Sequence, residues 1–252
     1  MSTTDVTIPF RAGDGQGWLR AAVALPAGDG PSPGVVVVHE LFGLNDDIRG
    51  VCERFAANGY AAIAPDLWSV GSRLACLSRM LRELRSGPGG GPVAELLEAG
   101  RTHLAARPEV DGERMAVIGF CMGGGFALTF GADAPVAASA VNYGRVPADG
   151  ARLAAVCPVV ASYGGADRGL RHAPARLERH LTDYGVPADI RVYPGATHAF
   201  MSTADLPAWL TRLPAPMRPT FDPAATEDAW RRIFAFFDTH VRRAPAPPAD
   251  AR

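Results

Sequence analysis

Gly119-Phe120-Cys121-Met122-Gly123 sets a cysteine between glycines, after the apolar run "RMAVIGF" and ahead of "GGGFALTFGA". A Gly-x-Cys-x-Gly segment between a strand and a helix has the form of a nucleophile elbow, with a thiol where a serine hydroxyl is more usual. Such a tight, strained turn needs glycines where a Cβ would clash. It lifts the side chain clear of the sheet and brings the sulfur near a helix N-terminus, whose dipole favours a thiolate. The N–H of Met122 then points where an oxyanion would form. The plainer alternative is a buried structural cysteine in a Gly-rich turn. A phosphate loop does not fit, because Phe126-Ala127 follow the last glycine where Lys-Ser/Thr would be needed.

A thiol nucleophile needs a base, and the base needs an orienting acid. Asp167 lies in "SYGGADRGL", after an apolar strand and a Gly-Gly turn, and His198 lies in "VYPGATHAF", after a strand and a Pro-Gly turn. Taken singly, the first reads equally as a turn or cap aspartate, and the second as a surface histidine. Their order, Cys121, Asp167, His198, is the nucleophile–acid–base order of α/β-hydrolases, and each follows a strand. The stretch "HELFGL", residues 39–44, adds a second oxyanion donor, the N–H of Leu41. Glu40 beside it is a carboxylate at the end of a buried strand and needs a partner. Either it pairs with an arginine to hold the loop, or it meets the thiol and governs its protonation.

Strands and helices must alternate to hold these loops, and they do. "WLRAAVALP", "GVVVVHE", "YAAIAPD", "RMAVIGF", "ASAVNYG", "CPVVASYG" and "ADIRVYPG" read as strands. The β-branched run bounded by Pro-Gly marks a strand buried on both faces. "DDIRGVCERFAANG" is an amphipathic helix with Ile48, Val51, Cys52 and Phe55 on one face and Asn58-Gly59 as its stop. "PVAELLEAGRTHLAAR", "GGGFALTFGA", "PARLERHLTDYG" and "EDAWRRIFAFFDTHV" are further helices. The alternation predicts an α/β fold, a mostly parallel central sheet with helices on both faces, with its functional loops at the carboxyl ends of the strands. Residues 1–241 form a single domain in this reading, and the Pro/Ala-rich tail 242–252 is expected to be disordered. "GPSPG", residues 30–34, is a turn, and "SGPGGGP", residues 86–92, a surface loop. Residues 201–221, with Trp209, Met217 and Phe221, form a loop packed over part of the pocket, or a lid.

Bulk composition narrows the function. The chain is 48% hydrophobic over 252 residues, enough to bury a sizeable core. With 25 basic against 26 acidic residues it carries no charge excess to attract a nucleic acid or an anionic membrane. The longest apolar run is far short of a membrane span. Six histidines form no close cluster and four cysteines no C-x-x-C pair, so neither a zinc site nor another metal site is expected. The N-terminus lacks a basic segment followed by an apolar one, and four free thiols suit a reducing compartment. A cytoplasmic protein is the expectation, as a monomer or small homo-oligomer.

Together these residues resemble the dienelactone hydrolase family, the cysteine-nucleophile branch of the α/β-hydrolases. Glu40-Leu41-Phe42-Gly43, Gly119 to Gly124, Asp167 after its glycine pair, Gly195-Ala196-Thr197-His198-Ala199-Phe200 and "NGYAAIAPDLW" at 58–68 carry the likeness, which runs from about Val6 to Val241. The resemblance implies a hydrolase of a small lactone or ester, of the carboxymethylenebutenolidase kind, working through a Cys121–His198–Asp167 triad and a thioester. Oxyanion donors on Leu41 and Met122, a regulating Glu40 and no cofactor are part of that implication. A carboxylesterase or thioesterase of different specificity, or a non-catalytic binding protein on the same fold, are the competing readings. The resemblance also implies a pocket tyrosine at Tyr143 and a substrate-binding arginine at Arg79 or Arg82. A second family arginine, one turn after the histidine, is here Ser202, and His39 replaces a glutamine before Glu40.

Overall fold

The computed structural model describes residues 2–12, 15–28, 30–86, 91–204 and 219–243. The expected tail from 244 onward, residues 87–90 of the surface loop, and residues 205–218 with Trp209 and Met217 lie outside the described residues.

Eight strands form one sheet: β1 (Thr4–Ala12), β2 (Gly15–Ala24), β3 (Ser32–Val38), β4 (Ala61–Pro65), β5 (Val110–Phe120), β6 (Ala138–Asn142), β7 (Val159–Gly164) and β8 (Ala188–Tyr193). Their order across the sheet is β1-β2-β4-β3-β5-β6-β7-β8. β2 runs antiparallel to β1 and β4, and every other pairing is parallel. Among the described residues six α-helices cover it: α1 (Asp46–Ala57), α2 (Arg73–Ser86), α3 (Pro92–Ala105), α4 (Met122–Asp133), α5 (Ala173–Asp183) and α6 (Pro223–Phe237). This is the α/β-hydrolase arrangement, a mostly parallel sheet with helices on both faces.

The sequence pattern explains the layering. In β3 successive valines point to opposite faces. Val35 and Val37 join α1 and α6 in one core, and Val36 and Val38 join α2, α3 and α4 in the other. All four are fully buried, which accounts for a β-branched run with no polar alternation. Helix α1 starts at Asn45, whose side chain accepts from the Ile48 N–H, and buries Ile48, Cys52 and Phe55, while Val51 is only partly buried. It stops at Gly59, where φ is +81°. Phe55, Trp230, Phe234 and Phe237 pack ring against ring between α1 and α6, with centroids 5.3–6.0 Å apart from Phe55.

Two elements were absent from the sequence reading. β1 is an edge strand interrupted by Pro9, which breaks the usual strand signal and is tolerated because one edge has no partner. Helix α2 buries Cys76 and Met80 among its described side chains on one face of an otherwise strongly polar segment, so its apolar content is low.

The strands that carry the site are braced from behind. The Arg232 guanidinium of α6 donates to Ser162 Oγ on β7 at 3.2 Å and to the Asp189 carbonyl on β8 at 2.8 Å. The loops that follow β7 and β8 hold Asp167 and His198. Among the described residues no helix is long and apolar enough to cross a membrane.

Candidate active site

Cys121 occupies the single residue between β5 and α4, at φ 53° and ψ −117°. A side chain rarely takes that conformation, and the surroundings enforce it. Cys121 N–H donates to the Asn142 carbonyl at 3.0 Å, and its own carbonyl accepts from Gly124 N–H at 3.1 Å. Its neighbours must be glycines: a Cβ on Gly119 would run into the Gly123 carbonyl, and one on Gly123 into the Val38 carbonyl. Met122 is the first residue of α4, so its N–H is among those a helix leaves without an internal partner. The N-terminal turn of α4 packs on the Val38–His39 backbone, and so brings the Leu41 segment alongside.

His198 and Asp167 meet the thiol across the sheet end. His198 Nε2 lies 3.1 Å from Cys121 Sγ, and Nδ1 lies 2.6 Å from Asp167 Oδ2. An acceptor carboxylate on Nδ1 assigns the proton there and leaves Nε2 facing the sulfur. Asp167 serves two purposes, since its other oxygen accepts from Gly169 N–H at 2.9 Å and closes the turn. Burial would raise its pKa, but the hydrogen bond and charge of His198 outweigh that and hold it below its ordinary value. Burial likewise opposes charge on His198, yet hydrogen bonds to Asp167 and Cys121 prevail and push its pKa up to about 10.

Glu40 has a tyrosine hydroxyl for its partner. Among the described residues no arginine pairs with it. Its carboxyl accepts from the Tyr143 hydroxyl at 3.1 Å, only 5% of the residue is exposed, and the His198 charge acts on it. Tyr143 is buried at φ 41°, with its ring edge-on to that of His198 at 5.4 Å. Both therefore belong to the cluster, but the thiol's hydrogen bond goes to His198. The Glu40 loop is pinned by His39, fully buried, whose Nε2 accepts from Leu67 N–H at 3.0 Å while Nδ1 donates to the Glu40 carbonyl at 2.6 Å. Sequence reasoning marked His39 only as a departure; its clamping role needs the β4 end beside it.

Burial pushes the Glu40 carboxyl up to about 7 from an ordinary 4.5. The folded protein therefore holds this proton more tightly than the unfolded chain. The associated stability is complete below 4.5 and is lost as pH rises through 7. Glu40→Gln keeps an acceptor for Tyr143 and removes the titration. Relative to the wild type, the variant is expected to gain roughly 3 kcal/mol between pH 4.5 and pH 8, measured by urea unfolding at both values.

The arginines are placed differently. Arg79 is half-buried on α2 near Glu83, whose carboxylate caps α3 by accepting from Val93 and Ala94 N–H at 2.7 and 2.9 Å, and Arg82 is exposed. The hydrogen bonds that join Cys121, His198, Asp167, Glu40 and Tyr143 use neither. Ser202 Oγ, one turn after His198, donates instead to Asp47 Oδ2 at 2.9 Å. Asp47 lies in the first turn of α1, and in the sequence only its closeness to the Glu40 motif marks it.

The dienelactone hydrolase family model matches residues 19–241. The chain belongs to the dienelactone hydrolase family. A protein of Methylorubrum extorquens provisionally named carboxymethylenebutenolidase is 31% identical over 248 residues, covering 92% of this chain and 79% of that protein. One of the same provisional name from Synechocystis is 30% identical over 260 residues, covering 96% and 98%. The crystal structure of a provisionally named dienelactone hydrolase from Klebsiella pneumoniae superposes with a TM-score of 0.73 at 23% identity, covering 94% of this chain and 99% of that one, a likeness of fold.

Proposed function

We propose that this ester hydrolase of the dienelactone hydrolase family opens a small lactone or ester through Cys121, by way of a thioester. The observation that carries the reading is the hydrogen-bonded line from Asp167 through His198 to the Cys121 sulfur. His198 Nε2 holds the proton shed by the thiol while sulfur attacks the carbonyl carbon, and Asp167 stabilises this imidazolium, whose pKa is pushed up to about 10. The tetrahedral oxyanion lies against the N–H groups of Leu41 and Met122. Collapse breaks the carbon–oxygen bond, and His198 returns the proton to the leaving alkoxide. In the second half His198 deprotonates water, hydroxide attacks the thioester, and sulfur leaves, regaining its proton. The products are an acid and an alcohol, or a hydroxy acid from a lactone. Each step uses groups of this chain, and no cofactor enters the sequence. Glu40, neutral or ionised around neutral pH, tunes the field at His198.

A carboxylesterase or thioesterase of different specificity is favoured over dienelactone turnover by one contact, the bond of Ser202 to a carboxylate. The test is acid quenching of the protein during turnover of 4-nitrophenyl butyrate, then peptide mass analysis. A butyryl group on the Cys121 peptide is the expected result. Turnover with acyl label elsewhere, or no turnover of lactones, oxygen esters and thioesters alike, overturns the reading.

A further inference from the structure

Asp47 sits in the first turn of α1, where the helix dipole favours negative charge. The loop that carries His198 reaches over to hold it. Ser202 Oγ donates to Asp47 Oδ2 at 2.9 Å, and Thr203 donates to Oδ1 from its N–H at 3.2 Å and from its hydroxyl at 2.5 Å. All three donors are neutral, and among the described residues no cation forms an ion pair with Asp47. Its charge is therefore oriented but not cancelled.

That charge reaches the reacting centre. The Ser202 hydroxyl that holds Asp47 belongs to the segment that follows His198, and the Asp47 charge raises the pKa values of both Glu40 and Tyr143. On its other side Asp47 lines a cleft of about 710 Å³, together with Phe42, Met201, Thr203, Phe221 and Trp230. Phe42 directly follows Leu41, and Met201 and Thr203 follow His198 within five residues, so the segments that carry Leu41 and His198 continue into the wall of this cleft. Asp46, Asp47, Glu227 and Arg54 are its charged residues. Arg54 is engaged by both oxygens of Glu227, at 2.9 and 2.8 Å, over the Trp230 ring. The two aspartates remain as the excess charge, above an apolar wall.

We propose that Asp47 is a specificity-determining residue, whose charge between this cleft and Glu40 turns away substrates bearing a carboxylate and favours neutral or cationic esters. The proposal rests on the ester-hydrolase reading. A carboxylate approaching the thiol enters a partly desolvated region next to a fixed like charge, where repulsion is less screened than in bulk water. Selection then lies in kcat/KM, the quantity that discriminates between competing substrates.

The experiment compares kcat/KM for neutral 4-nitrophenyl butyrate and anionic mono-4-nitrophenyl glutarate, which share a leaving group. In the wild type the anionic-to-neutral ratio is expected to be about one-tenth or lower. Asp47→Asn keeps one acceptor oxygen, presents an amide N–H to the other hydroxyl and loses the charge, and should raise that ratio about fivefold or more. Asp47→Glu keeps the charge and should hold the ratio within about twofold. Raising the ionic strength should lift the ratio in the wild type and not in Asp47→Asn. A purely structural tether would lower both rates together in Asp47→Asn and leave the ratio fixed, which overturns the proposal. A wild-type ratio near unity also does. If Asp47→Asn fails to fold, a wild-type ratio insensitive to salt is decisive against it. If the wild type hydrolyses neither ester, the ester-hydrolase reading itself has failed and the proposal falls with it.

Discussion

Cys121→Ala is expected to lower kcat for ester hydrolysis by about 10⁴-fold or more while leaving the fold unchanged. The sulfur is the one group in the cluster that can form the acyl bond, and His198 Nε2 is positioned only toward it, at 3.1 Å. With Leu41 and Met122 as the proposed oxyanion donors, residual activity over water is expected rather than none. Alanine suits the test because it keeps a Cβ. The φ of 53° at this position is as strained for alanine as for cysteine, so the backbone is not released into a new conformation. Thermal unfolding should shift by no more than about 4 °C, corresponding to under about 1 kcal/mol. Steady-state kinetics with the two proteins side by side is the check. A variant that keeps more than about a tenth of wild-type kcat would remove Cys121 as nucleophile, since loss of such a group is never that mild.

The largest effect on stability is expected from Gly123→Ala. A methyl group there is driven into the Val38 carbonyl, with the His39 carbonyl beside it. Neither neighbour can yield. Val38 ends the fully buried β3, and His39 is tied on both ring nitrogens. Gly123 cannot retreat either, because it belongs to the first turn of α4, whose start is fixed by Cys121. Overpacking against flexible side chains costs about 1–3 kcal/mol. With backbone on both sides the loss should be about 3 kcal/mol or more, and soluble yield should fall with it. Urea midpoints at constant slope measure this. Gly50→Ala is the control: that glycine lies inside α1 with open space around its Cβ position. It should gain about 0.5–1 kcal/mol from helix propensity. Similar losses in both variants would show that the elbow is not specially constrained.

Much of this protein is determined by its sequence taken alone, and the reasons are local. A glycine-flanked cysteine between an apolar strand and an apolar helix specifies a backbone conformation before any partner is known, because few other residues fit so tight a corner. The strand at 34–40 declares its burial through four consecutive valines, and α1 declares its inward face and its ends through Asn45, Ile48, Cys52, Phe55 and Gly59. The order of Cys121, Asp167 and His198, each after a strand, follows from chain order in an open sheet, where loops at the carboxyl ends converge.

Only the tertiary structure decides what depends on residues distant in sequence and adjacent in space. Glu40 has Tyr143 rather than an arginine as partner because the ends of β3 and β6 flank β5, a fact of strand order that no local pattern encodes. His39 bridges to Leu67 for the same reason, β3 and β4 being neighbours. The edge strand β1 and the helix α2 give weak signals because β1 carries a proline and α2 buries few side chains in a mostly polar segment. Asp47 is the fullest case. In the sequence it is one more acid at a helix start; in the fold Ser202 and Thr203, 155 and 156 residues away, tie it to the segment that follows His198. Local sequence sets backbone shape and which residues can react. The electrostatic field around them is summed over space, so it emerges only when the chain has folded.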